Sequence, residues 1–130
     1  MKYAPVQNYI NGQFINASSL KTIDVISPVN CNLLSTVPMS SAKDLDAAVK
    51  AAKTAFAGWS KTPIKERVQV FFRYKTLLET HLKELAELCS EENGKPYGES
   101  VAEIEKSIEL TEFATSLPQI VTGEVLEVSR

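Results

Sequence analysis

A chain of 130 residues suffices for one domain with a buried core, and 44% hydrophobic with 23% charged residues lies in the globular range, which excludes wholesale disorder. Fourteen basic against sixteen acidic residues, with the signs mixed along the chain, give a formal charge of -2 and no cationic footprint for nucleic acid. No apolar run approaches the roughly 20 residues of a membrane span, and the leading MKYAPVQ has no apolar signal-peptide region, so a soluble, cytoplasmic protein with no membrane partner is expected.

The first forty residues read as β. In YINGQFINA, Asn11-Gly12 separates two β-prone runs, and Asn-Gly is a strong hairpin signal because both positions tolerate positive φ. A second hairpin is expected from Thr22–Ser27 and Leu33–Pro38, with turn chemistry at Pro28-Val29-Asn30. Pro28 and Pro38 cannot donate to a central ladder, so these strands end at the prolines or lie at an edge.

From Ser40 the period becomes helical. Ser41 with Asp44 three positions on matches a capping box, and Leu45, Ala48, Val49, Ala52, Phe56 and Trp59 recur at three- and four-residue steps as one apolar stripe. Thr62-Pro63 reads as a second helix start, with threonine as the cap and proline at the first helical position. That helix runs to about Glu79 and is expected to turn Val68, Phe71, Phe72, Leu77 and Leu78 inward. After a break at Thr80-His81, a third helix spans Leu82–Glu92, with Leu85, Leu88 and Cys89 apolar. Asn93-Gly94 then offers the left-handed residue that ends a helix, and Pro96 prevents its resumption. A fourth helix is expected over Tyr97–Ser116, with Val101, Ile104 and Ile108 facing the rest and Pro118 ending it. The tail GEVLEVSR alternates like a strand, and a terminal strand without a following partner suggests a chain cut short.

Little chemistry is legible in the residues themselves. Gly12, Gly58, Gly94, Gly98 and Gly123 are too scattered to form a phosphate-cradling loop. His81 is the single histidine and suits a helix junction, which excludes two-histidine metal sites. Cys31 and Cys89 have neither disulfide nor metal spacing, fit a reducing compartment, and lack a nearby base that would make a nucleophile. Glu105 and Glu109 read as a solvated helix face. No catalytic, cofactor-binding or metal residue is assigned on these grounds, and one reading is a free-standing helical interaction or oligomerisation module that buries its apolar stripes against a partner.

The ordered strings YINGQF, ISPVNCNLLSTVPMSSAKDLDAAVKAAKTAFAGWS and KERVQVFFRYKTLLETHLKELAELCSEENGKP closely resemble the N-terminal segment of NAD(P)-dependent aldehyde dehydrogenases. Within that superfamily, EIEKSIELTEFATSLP and GEVLEVSR look most like the methylmalonate-semialdehyde dehydrogenase branch. The resemblance implies an α/β fold with a Rossmann-type cofactor domain, of which this chain is a mostly helical N-terminal part with two short β-hairpins and a C-terminal strand. Residues 1–39 are then the hairpin region, 40–122 a four-helix part of the cofactor-binding domain, and 123–130 the start of the oligomerisation-arm strand. The catalytic domain with its nucleophilic cysteine is absent.

The intact protein is accordingly expected to be a homo-oligomer that oxidises a small semialdehyde with NAD and passes the acyl group to coenzyme A. This chain alone is expected to bind no cofactor and to be inactive. One residue is carried over. By its position on the helix after ENGK, Lys106 falls where that branch has an arginine that meets the substrate carboxylate, and lysine keeps the charge but loses the planar fork.

Overall fold

The computed structural model describes residues 1–121 and Gly123, so the strand expected over 123–130 lies outside the described residues apart from that glycine. Four short strands precede five helices: β1 (Asn8–Ile10), β2 (Gln13–Ile15), β3 (Thr22–Ile26), β4 (Leu33–Pro38), α1 (Ala42–Trp59), α2 (Ile64–Thr80), α3 (Leu82–Asn93), α4 (Tyr97–Thr115) and α5 (Leu117–Ile120). The strands form two separate antiparallel pairs.

Both hairpins lie where turn chemistry puts them. Ile10 pairs with Gln13 across a two-residue loop in which Asn11 (φ 54°) and Gly12 (φ 77°) both take the positive φ that a type I′ turn needs. In the second hairpin β3 stops before Pro28 and β4 ends at Pro38, as the missing proline N–H requires. A register shift after Val25 pairs Ile26 with Leu33. Its turn closes through Cys31 N–H to Ser27 O (2.9 Å) and Ser27 N–H to Asn32 O (2.9 Å), with Cys31 itself left-handed at φ 60°.

Helix α1 begins at a box whose carboxylate side is fully engaged. Asp44 Oδ2 accepts the Ser41 N–H at 2.7 Å and the Ser41 hydroxyl at 2.9 Å. The same carboxylate accepts the Ser18 N–H (2.9 Å) and hydroxyl (2.8 Å), which ties the loop after β2 to the helix start. Four donors on one carboxylate hold Asp44 well below the usual carboxylate range, the Ser41 backbone bond contributing most.

The second helix starts one residue later than its sequence suggests. Pro63 is the cap, and its carbonyl accepts from Glu66 (2.9 Å) and Arg67 (3.1 Å), while the Thr62 hydroxyl turns back to Gly58 O (3.3 Å). Pro118 does not end α4. Ser116 closes that helix, and Pro118 sits in the first turn of the short α5, where its lost N–H costs nothing.

The helical layer centres on α4, which packs against α2, α3 and α5. Its inner face is built from small polar groups, buried Ser100 and Thr111, with Val101, Ile104 and Ile108 half-buried beside them. On α2 the buried stripe is Val68 and Leu78, while Phe71, Phe72 and Leu77 are exposed, which corrects the inward set expected from the sequence. Lys75 lies on the Val68–Leu78 side, two turns after Val68 and one turn before Leu78, and it joins α2 to α4 by pairing with Glu79 (2.9 Å) and Glu112 (3.3 Å). The apolar stripe of α1 is regular but uncovered among the described residues: Leu45 is 66% exposed, Phe56 65% and Trp59 47%.

Candidate functional site

Lys106 stands on the exposed side of α4, and its ammonium donates to Glu109 Oε2 at 2.7 Å, one turn along the same helix. Such an exposed pair contributes little to stability. No further polar partner of Lys106 joins it among the described residues.

The two cysteines and the histidine do not meet. Cys31 is exposed in the β3–β4 turn, and Cys89 is half-buried on α3 with Asn93 Nδ2 at 3.8 Å from its sulfur. His81 caps the start of α3 and faces Glu84 Oε2 at 3.0 Å. Eight residues of helix separate His81 from Cys89, about 12 Å along the axis, too far for a shared proton. Among the described residues no group of three histidine, cysteine or acidic side chains could hold a metal ion.

Neither left-handed glycine forms a phosphate cradle. A phosphate cradle needs glycines that clear space for a ligand, yet the Cβ direction of left-handed Gly94 is filled by Pro28, and Gly12 serves a hairpin turn.

What the structure does bring together is a junction around Glu91-Glu92-Asn93-Gly94-Lys95-Pro96. Gly94 (φ 71°) ends α3 by returning its N–H to Ser90 O at 2.8 Å, the left-handed stop expected from the sequence. A Cβ placed there would stand 2.8 Å from Pro28 Cγ, so the second hairpin's turn rests directly on this glycine. The Ser90 hydroxyl donates to Lys95 O (2.7 Å), and Lys95 pairs with Glu103 on α4, which raises the lysine's pKa through that bond. Glu91 receives both the Lys2 ammonium and the Tyr3 hydroxyl, and these two bonds, the lysine's first, hold its carboxyl below the usual range. The junction therefore locks the N-terminal segment, the second hairpin, α3 and α4 to one another. Sequence reasoning found its helix stop but not these long-range partners, because separations such as that from Lys2 to Glu91 carry no periodic signal.

Hollows flank the elements, and two of them border β1 and β4. One of about 500 Å³ opens between β1 and the first turns of α1, lined by Tyr9, Ile10, Ser41, Ala42, Leu45 and Ala48 among others. The other, about 260 Å³, lies between β4, α3 and the N-terminal segment.

Residues 14–130 match the model of the aldehyde dehydrogenase family. The chain is 46% identical over 121 residues to malonate-semialdehyde dehydrogenase 1 of Geobacillus thermodenitrificans, an alignment covering 93% of this chain and 25% of that one. It is 40% identical over 121 residues to malonate-semialdehyde dehydrogenase 2 of Oceanobacillus iheyensis, with the same coverage. Among solved structures, one from Sinorhizobium meliloti, assigned as a methylmalonate-semialdehyde dehydrogenase and complexed with NAD, superimposes with a TM-score of 0.90 at 31% identity. That match covers 98% of this chain and 26% of the other. The chain thus spans about a quarter of the length of the curated relatives it matches.

Proposed function

The chain belongs to the aldehyde dehydrogenase family, and from that premise we propose that it is the N-terminal part of a cytoplasmic, homo-oligomeric enzyme that oxidises a semialdehyde with NAD. The observation that carries the substrate class is the 40 to 46% identity to proteins named malonate-semialdehyde dehydrogenases. The NAD reading rests on the cofactor held by the Sinorhizobium meliloti neighbour. Transfer of the acyl group to coenzyme A, in place of hydrolysis, follows from the likeness of the α4 sequence to the methylmalonate-semialdehyde branch.

In this reading residues 1–39 supply the hairpin region, 40–122 belong to the cofactor-binding domain, and 123–130 lead into the oligomerisation arm. The reading makes the 130 residues framework that does not turn over alone, and it is supported by the lack of a base beside Cys31 or Cys89 among the described residues.

Lys106 is the one residue given a substrate role. A carboxylate on the aldehyde would take the place of Glu109 on its ammonium, an exchange that costs little because the resident pair is exposed. Splicing this chain onto the remainder of the Geobacillus thermodenitrificans relative gives the protein in which to test both points. The spliced enzyme should reduce NAD with malonate semialdehyde, and Lys106→Ala should raise KM for that substrate about tenfold with little change in kcat or in turnover of a neutral aldehyde. A soluble, folded splice without activity would overturn the enzyme reading. Equal KM values would remove Lys106 from it.

A second reading, an interaction module that buries the α1 stripe against its own copies, is favoured by the exposure of Leu45, Val49, Phe56 and Trp59.

A further inference from the structure

Residues 2–6 lie along the outer side of β4 although they form no regular strand. The Lys2 and Tyr3 N–H groups both donate to Leu34 O, at 3.0 and 2.8 Å, and the Val6 N–H donates to Thr36 O at 2.9 Å. The Ser35 hydroxyl donates to Ala4 O at 2.7 Å. Pro5 has no N–H to give, so this added edge is held by few main-chain bonds.

The segment also brings little apolar anchoring. None of residues 1–6 is buried, and Tyr3 alone is half-buried. Yet Tyr3, Ala4 and Val6 form one wall of the 260 Å³ cavity, whose other walls are Val25, Leu34, Val37 and Leu88, with Ser35 and Glu92 as polar members. One wall of an apolar, half-open cavity is thus a segment with almost no core of its own.

Besides those few bonds to β4, the side chains of the segment are held by a single carboxylate. The Lys2 ammonium and the Tyr3 hydroxyl, the latter at 2.6 Å, converge on the two oxygens of Glu91, which α3 presents from the far side of the cavity. We infer that residues 2–6 are a strap latched by Glu91, and that unlatching releases the strap from β4 and removes one wall of the cavity. A short edge segment with exposed hydrogen bonds belongs to the low-stability end of a structure and opens without global unfolding. The helix that carries the latch need not move.

The test is amide hydrogen exchange by NMR on the full chain, comparing Glu91→Gln with Glu92→Gln as a neighbouring control. Glu91→Gln should speed exchange at Tyr3 and Val6 on the order of tenfold, the scale of losing bonds to a charged acceptor. The amides of Ala86 on α3 and of Gly94, which ends that helix, should be unchanged. Tyr3→Phe, which removes one donor and leaves α3 untouched, should move the same amides in the same direction by less. Unchanged protection at Tyr3 and Val6 in Glu91→Gln, or a loss spread evenly through α3, would overturn the latch.

Discussion

Replacing Gly94 by alanine should be the most damaging single-methyl addition in the chain. Two separable costs arise. At φ 71° the residue is left-handed, which costs an L residue about 1–2 kcal/mol, offset in part by the lower unfolded-chain entropy of alanine. The new methyl would also stand 2.8 Å from Pro28 Cγ, with Pro28 Cβ and Val29 Cγ2 at 3.5 Å. A proline ring cannot rotate away, so the α3–α4 junction and the second hairpin must part, an overpacking cost of about 1–3 kcal/mol. With the offset of about 0.4–1 kcal/mol the net loss is about 1–4.5 kcal/mol.

Gly12 separates the two costs, because it has the same sign of φ (77°) and nothing within 4 Å of a built Cβ. Gly12→Ala should therefore lose only about 1 kcal/mol. Gly98, helical and uncrowded, should gain about 0.5–1 kcal/mol as alanine. Urea unfolding followed by helical circular dichroism measures all three on one scale. Pro28→Ala in the Gly94→Ala background should recover most of the difference between positions 94 and 12, since it removes the crowded ring carbon. If Gly94→Ala and Gly12→Ala agree within about 0.5 kcal/mol, the hairpin does not rest on the junction and the reasoning fails.

Ser41→Ala should cost about 1 kcal/mol in the same unfolding measurement, and a loss indistinguishable from zero would show that the α1 cap is not formed. Asp44 has its folded pKa lowered from 3.8, so its contribution is present above that ordinary value and lost only as pH falls through the depressed one. Helical ellipticity should hold from about pH 7 to about pH 4, whereas early acid loss that Asp44→Asn abolishes would contradict the four-donor carboxylate. The uncovered α1 stripe should make the isolated chain self-associate; Phe56→Glu should shift its mass by light scattering toward monomer with an unchanged circular dichroism spectrum, and an unchanged mass would refute that use of the face.

The local rules of the sequence carried most of the element boundaries. Asn11-Gly12, the Ser41–Asp44 box and Asn93-Gly94 each have a mechanism confined to a few residues, and each appears in the structure where its chemistry places it. Boundaries failed by a residue or two at prolines, where Pro63 became a cap instead of a first helical residue and Pro118 opened a short helix instead of ending a long one. Burial was harder to read. Phe71, Phe72 and Leu77 are apolar and close to the right phase, but among the described residues α2 buries only Val68 and Leu78. Conversely Ser100 and Thr111 are buried because helices approach closely through small side chains, which a hydrophobic stripe does not reveal.

The candidate site was legible chiefly as an absence of chemistry. Scattered glycines, one histidine and two unsupported cysteines gave no site, and Lys106 entered through the family resemblance alone; it stands on an open helix face paired with Glu109. The Glu91 and Lys95 partnerships that organise the junction span too much chain for any spacing rule, and only the fold brings their partners within reach.

The proposed function makes these 130 residues framework that does not turn over alone. Purified chain with NAD, coenzyme A and malonate semialdehyde, followed by absorbance of the reduced nicotinamide, tests it most directly. The account predicts no turnover above buffer. Turnover that Cys31→Ala or Cys89→Ala abolishes would contradict it, because a nucleophile would then operate in surroundings that show neither a base nor a cofactor cradle.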